Sequence, residues 1–192
     1  WNVDALIELE EGYPNKVNTI LQLRHHEAIL ALKDKIDGSS KEKVYDIELK
    51  YITSRGKWYH TSWKGDESKS GGIASNIGIH FFDMLQWIFG SMQDFSLDIK
   101  TNDTNAGTLV FKKAKVNWYL SINANNLPQS AIDKGNSTYR TLSIEGEEIE
   151  FSKGFADLHK VSYQRIIAGK GYGLSDAKKS IDIVSKIRNK VI

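Results

Sequence analysis

VYDIELKYITS, residues 44–54, is the stretch that decides the fold. Tyr45, Ile47, Leu49 and Tyr51 alternate with Asp46, Glu48 and Lys50. Successive side chains of a strand point to opposite faces, so the pattern predicts a long strand with one apolar face and one charged face. The apolar face needs covering. Further strand patterns occur at residues 95–100, 107–111, 116–124, 139–145 and 148–151. Short polar turns separate most of them, which favours antiparallel pairing. One strong helix interrupts the series over residues 73–89, with Gly90 as its stop. Ile77, Phe81, Met84, Leu85 and Ile88 fall on its buried side. The expected fold is therefore α+β: an open, mostly antiparallel sheet with helices on one face.

Upstream of the strand the rhythm differs. Val3, Leu6, Ile7 and Leu9 predict a helix that ends at Gly12, with Pro14 just beyond. KVNTILQL, residues 16–23, reads as a short strand rich in β-branched residues. Ala28, Ile29, Leu32 and Ile36 predict a second helix that stops near Gly38. Helix, strand, helix is the rhythm of an α/β layer, so residues 1–38 read as the tail of a unit begun upstream. Two helices close the chain. One covers residues 158–168, and the other starts from Ser175 as N-cap with Asp176 in its first turn. Residues 123–136 are the expected long loop.

Bulk composition removes several function classes. A chain of 192 residues with 40% hydrophobic content can build one real core. Twenty-six basic residues are nearly balanced by 24 acidic ones, so a dedicated nucleic-acid binder is not expected. The short basic runs at residues 41–43 and 112–115 read as solvated turns. With no cysteine, disulfides and thiolate chemistry are excluded, and a reducing, cytoplasmic setting fits. No apolar run approaches the length of a membrane span, and no signal peptide is visible. The chain begins at Trp1 and is expected to be a fragment or a trimmed form.

Three clusters could carry chemistry. In GGIASNIGIHFFD, residues 71–83, Asn76 and His80 stand at i and i+4 on one helical face, and Asp83 continues the stripe. Gly72 and Gly78 would let a ligand or another backbone approach. Such a polar stripe can hold a sugar hydroxyl and move its proton. The alternative is that Asn76 and His80 cap neighbouring strands while Asp83 fixes the ring tautomer. WYHTSWKGD, residues 58–66, places Tyr59, Trp63 and Lys64 among hydroxyls, which suits carbohydrate; the alternative is a strand end whose tryptophans enter the core. His159 and Tyr163 form another i, i+4 pair, more often a helix surface than a site. A catalytic metal on His60, His80 and Asp83 lacks any H-E-x-x-H spacing. No G-x-S-x-G, Walker or G-x-G-x-x-G element is present, and Gly169–Gly173 follows a helix and reads as a stop and turn.

SGGIASNIGIHFFDMLQWIFG, residues 70–90, resembles the signature G-G-x-L-x-D-x-G-x-H-x-x-D of the glucose–fructose oxidoreductase and inositol dehydrogenase family. The likeness extends along the chain. WNVDALIELE resembles the helix after the family's E-K-P motif, KVNTILQLRHHEAILALK its last nucleotide-domain strand and crossover helix, and residues 158–187 its closing helices, which pack back toward the first domain. The resemblance implies that residues 1–38 end a Rossmann-type nucleotide-binding domain and that residues 39–192 form a substrate-binding and oligomerisation domain. It also implies NAD, bound mainly by the upstream domain, and an acid/base lysine in E-K-P just before Trp1. Residues 58–83 and 158–171 are most like a subgroup that oxidises the 3-hydroxyl of UDP-N-acetylaminosugar uronates in surface-polysaccharide synthesis. His80 matches the family's active-site histidine. Asn76 stands where the family commonly has Asp, so it is expected to bind the nucleotide-sugar and not to act as a base. Lys64, Tyr59, Trp63 and Tyr163 are implied substrate contacts, and Arg24 matches an arginine near the cleft that could pair with a carboxylate or phosphate. A homo-oligomer through the open sheet face is expected, and the chain alone is expected to be inactive. The rivals are a non-catalytic sugar-binding or assembly domain and a metal-dependent hydrolase centred on His80.

Overall fold

The alternating segment forms strand β1, Tyr45–Thr53, inside a six-stranded sheet. The computed structural model describes residues 2–13, 16–149, 155 and 157–190. The other strands are β2 (Met92–Lys100), β3 (Thr104–Phe111), β4 (Ala114–Ser121), β5 (Thr138–Ile144) and β6 (Glu147–Glu148), and the sheet order is β2-β3-β4-β1-β5-β6. Consecutive strands joined by short turns pair antiparallel, as the turns predict. β1 and β5 also pair antiparallel. β1 and β4 run parallel, with Leu49 opposite Trp118. They are not consecutive, so no turn sequence announces that pairing.

Tyr45, Ile47 and Leu49 of β1 are buried while Asp46, Glu48 and Lys50 are exposed. The apolar face is covered within the chain. Helix α5, Ile79–Phe89, lies across it and buries Phe81, Phe82, Met84, Leu85, Ile88 and Phe89 in the same core. Phe82 meets Trp118 of β4 edge to face, with ring centroids 5.3 Å apart. Full burial of each such side chain contributes about 1.5–3 kcal/mol. Helix α2, Glu27–Asp37, adds Ile29, Leu32 and Ile36 to that core. Helix α8, Leu174–Asn189, adds Ile183, Val184 and Ile187. The opposite face of the sheet stays open and polar, with Lys115 and Asn117 exposed beside the β1 charges.

Helix α1, Val3–Glu11, forms as expected and buries none of its residues; Leu6 is 46% and Leu9 59% exposed. Its acidic Asp4 lies 3.6 Å from Lys178 of α8. The expected strand at residues 16–23 does not form. A strand needs a neighbour to ladder with, and here Thr19 alone bridges to Tyr172, while a 3-10 turn takes Gln22–His25. Residues 57–70 are helical: α3 (Lys57–Thr61), a 3-10 turn (Trp63–Gly65) and α4 (Glu67–Ser70). The expected long loop holds a 3-10 turn, Ala124–Asn126, and helix α6, Gln129–Ile132. Helix α7 spans Leu158–Ile167. Helix α8 is capped from Gly173 and not from Ser175, because the Gly173 N–H donates to Asp176 Oδ2 at 3.0 Å. Of the expected strand at residues 148–151, Glu148 pairs with Ser143, and residues 150–151 lie outside the described residues.

Candidate functional site

The helix that carries Asn76 and His80 is not uniform. Ala74–Gly78 is a π-helical turn that runs directly into α5. Such turns are rare and concentrate at functional sites. Gly78 permits its close approach to the sheet: an added Cβ would stand 2.6 Å from the Phe82 ring and 3.0 Å from Leu120 Cδ1. This glycine serves packing between elements of the chain.

Asn76 and His80 line one cavity of about 240 Å³, together with Gln22, Tyr51, Arg55 and Arg140. Leu23, Ile77, Phe81 and Phe155 complete its wall. Gln22 Nε2 lies 3.3 Å from His80 Nδ1. An amide nitrogen only donates, so Nδ1 accepts, and the neutral ring carries its proton on Nε2. Turning the Gln22 amide over would reverse that assignment. Gln22 Oε1, Asn76 Nδ2 and Arg55 Nε in this wall are buried without a hydrogen-bond partner. A native protein leaves few such atoms unsatisfied, and each marks a place where a ligand group can complete the set.

His80 is exposed where it opens onto the cavity, with protein packed behind the ring that partly desolvates it. That desolvation holds its pKa below the ordinary 6.5, and repulsion from His159 on α7 adds to the effect. The ring is therefore neutral at neutral pH. Tyr59 is buried at 4% exposure. Burial pushes its hydroxyl up, opposed by the charge of Arg55 and by the Asn76 amide, which approaches the hydroxyl without reaching hydrogen-bond geometry.

Arg24 lies away from this cavity. Its Nε and Nη2 donate to Asp83 Oδ2 and Oδ1 at 2.9 and 2.7 Å, and Nη1 reaches Asp176 Oδ1 at 3.5 Å. The guanidinium stacks 4.6 Å over Tyr172. Arg24 is 5% and Asp83 3% exposed. The carboxylate expected for Arg24 is thus supplied by the chain itself, and Asp83 fixes Arg24, leaving the His80 tautomer to Gln22. Burial pushes the Asp83 carboxyl up, and Arg24 pulls against it.

The remaining expected contacts are scattered. Tyr59 and Lys64 line a separate cavity of about 20 Å³. Lys64 Nζ stands 5.9 and 5.8 Å over the rings of Trp58 and Trp63, which are 55% and 58% exposed. Neither tryptophan enters the core. Tyr163 is 58% exposed on α7. Among the described residues, no group of three or more His, Asp or Glu side chains is placed to hold a metal. Sequence reasoning missed Gln22, Arg55 and Arg140 as cavity residues. Arg140 enters because β5 sets it opposite Tyr51, a register that sequence does not print. Arg55 sits two residues past the end of β1, where a strand delivers its loop to a site.

Two outcomes follow. Asp83→Ala leaves buried Arg24 with only its longer contact to Asp176, and should cost about 3–5 kcal/mol in denaturant unfolding, whereas a paired Arg24→Met, Asp83→Leu variant should recover most of it. His80 should titrate below 6.5 in an NMR pH series. In acid, the unfolded chain takes up this proton first, so His80 lowers stability as pH falls from 6.5 toward its folded midpoint and has no effect above 6.5. His159→Gln should move that midpoint up.

The model of an oxidoreductase family, C-terminal alpha/beta domain, matches residues 33–127. The WlbA (WbpB) dehydrogenase from Thermus thermophilus, in complex with NAD and alpha-ketoglutarate, is 43% identical to this chain with a TM-score of 0.94, over 99% of this chain and 61% of that one. Its complex with NAD and UDP-GlcNAcA gives a TM-score of 0.93 at the same identity and coverage. The WlbA dehydrogenase from Bordetella pertussis, in complex with NADH and UDP-GlcNAcA, shares the fold at 15% identity, with a TM-score of 0.73 over 96% of this chain and 63% of that one. The chain spans less than two thirds of the length of these structures. Its sheet, its helices and these matches place it plainly: the chain belongs to that oxidoreductase family, as the C-terminal alpha/beta domain.

Proposed function

We propose that this chain is the substrate side of an NAD-dependent dehydrogenase that oxidises the 3-hydroxyl of a UDP-N-acetylaminosugar uronate for surface-polysaccharide synthesis in the cytoplasm. The observation that carries the reading is the cavity in which Asn76 Nδ2, Gln22 Oε1 and Arg55 Nε are all buried and unpartnered beside His80. A sugar hydroxyl both donates and accepts, so one ring can answer Asn76 as an acceptor and Gln22 as a donor.

The glycine-rich turn Gly169–Gly173 precedes α8, but the Asp176 carboxylate already takes the Gly173 N–H. A negative side chain fills the place where a phosphate would bind a helix N-terminus. NAD would be held mainly by the part of the relatives that this chain does not span, and when bound would accept hydride from the sugar carbon.

What this chain contributes is orientation and polarity around the reacting oxygen. With its proton on Nε2, neutral His80 donates to that oxygen and stabilises charge as it develops. Asn76 holds the hydroxyl but cannot take its proton. The proton goes to the lysine that the family resemblance places upstream. Residues 1–38 are the trailing part of the nucleotide-binding domain in this reading, and residues 39–192 the substrate domain. The apolar side of α1, exposed at Leu6 and Leu9, supports that division. A homo-oligomer would form through the open sheet face, where Asp46, Glu48, Lys50 and Lys115 offer charges of both signs.

The 192-residue chain mixed with NAD and a UDP-aminosugar uronate should produce no NADH. In a protein that joins this domain to its nucleotide-binding partner, His80→Ala should lower kcat by about 10²–10³-fold. Near-normal turnover by that variant would remove His80 from the mechanism.

A further inference from the structure

We propose that Arg55 is the anion-recognising residue of the His80 cavity, and that it holds a carboxylate carried on the sugar ring. The inference rests on the sugar-site reading above. Two guanidinium groups, Arg55 and Arg140, line the cavity, and no carboxylate does so among the described lining residues. The contrast with Arg24 is direct. Arg24 is met by Asp83 and Asp176, so its charge is answered within the fold. Arg55 makes no ion pair among the described residues, its Nε is buried without an acceptor, and its guanidinium stands 5.9 Å over the Tyr59 ring. An anion or acceptor that enters the cavity can complete the buried Nε and pair with the charge. Across the cavity, Arg140 is held 4.0 Å over Phe155 and 5.0 Å over Tyr51.

Size decides which anion. The cavity of about 240 Å³ falls below the roughly 300–1,000 Å³ of sites that enclose drug-sized ligands. It has room for one sugar ring, and the diphosphate and nucleoside of a nucleotide-sugar must lie outside. The group that reaches Arg55 beside His80 is one carried on the ring, and on a hexuronate the carboxylate offers the planar pair of oxygens that matches a guanidinium fork.

The test titrates the 192-residue chain, followed by NMR, with N-acetylglucosaminuronate, with neutral N-acetylglucosamine and with UDP-N-acetylglucosamine, which carries a diphosphate but no carboxylate. The acid should bind about tenfold more tightly than the neutral sugar. Arg55→Gln should abolish that preference, so that acid and neutral sugar bind alike, and Arg55→Lys should keep part of it. Thermal melts of both variants confirm that they fold. Equal binding of acid and neutral sugar, or a preference that survives Arg55→Gln, overturns the proposal while the sugar site stands. A gain for UDP-N-acetylglucosamine that Arg55→Gln removes assigns Arg55 to the diphosphate and overturns it too. Binding of neither monosaccharide overturns the sugar-site reading together with the proposal.

Discussion

The buried pair between Arg24 and Asp83 is the interaction on which the site depends. Its two hydrogen bonds, at 2.9 and 2.7 Å, tie the 3-10 turn Gln22–His25 to the middle of α5. Asp176 draws in the first turn of α8, and Tyr172 stacks on the guanidinium from the turn before it. Gln22 stands two residues from Arg24, and His80 three residues from Asp83. The pair therefore sets where Gln22 meets the imidazole. Removing two charges from water is expensive, and a buried ion pair is seldom retained for stability alone. Here the return is geometric: a turn with little regular structure of its own is held at a fixed distance from a helix.

The same chain treats its arginines in two ways. Arg24 is answered by carboxylates and becomes part of the scaffold, while Arg55 is brought to a cavity wall and left with an unpartnered nitrogen. Around Arg55 the other open groups are an amide nitrogen on Asn76 and an amide oxygen on Gln22. Neutral donors and acceptors of this kind suit hydroxyls, and a neutral His80 among them polarises an oxygen without adding a fixed charge. The exposed pair Trp58 and Trp63, with Lys64 above them, is a second surface that suits a sugar ring. It lacks the buried unsatisfied atoms that distinguish the cavity.

Much of the fold is legible in sequence. The period-two alternation of residues 45–51 fixes β1 and its buried face, and the spacing of Phe81, Leu85 and Ile88 fixes the inner side of α5. Where sequence fails, the missing information is non-local. Residues 16–23 have strand propensity, but a ladder requires a neighbouring strand, and Thr19 has only Tyr172. The parallel pairing of β1 with β4 joins strands far apart in the chain. The site divides in the same manner. Asn76 and His80 are visible because helical spacing brings them to one face, even though Asn76 sits within a π-turn. Arg55 and Arg140 reach the cavity from a loop and a cross-strand register. Arg24 is recognisable as a buried-site arginine, but the identity of its partner depends on how α5 is turned against the 3-10 segment.

The most direct measurement is a crystal structure of the chain soaked with N-acetylglucosaminuronate. The account predicts a single sugar ring in the cavity, with hydroxyls on Asn76 Nδ2 and Gln22 Oε1, one oxygen at His80 and the carboxylate at Arg55. A ring stacked on Trp58 and Trp63, with the His80 cavity holding only water, would contradict it.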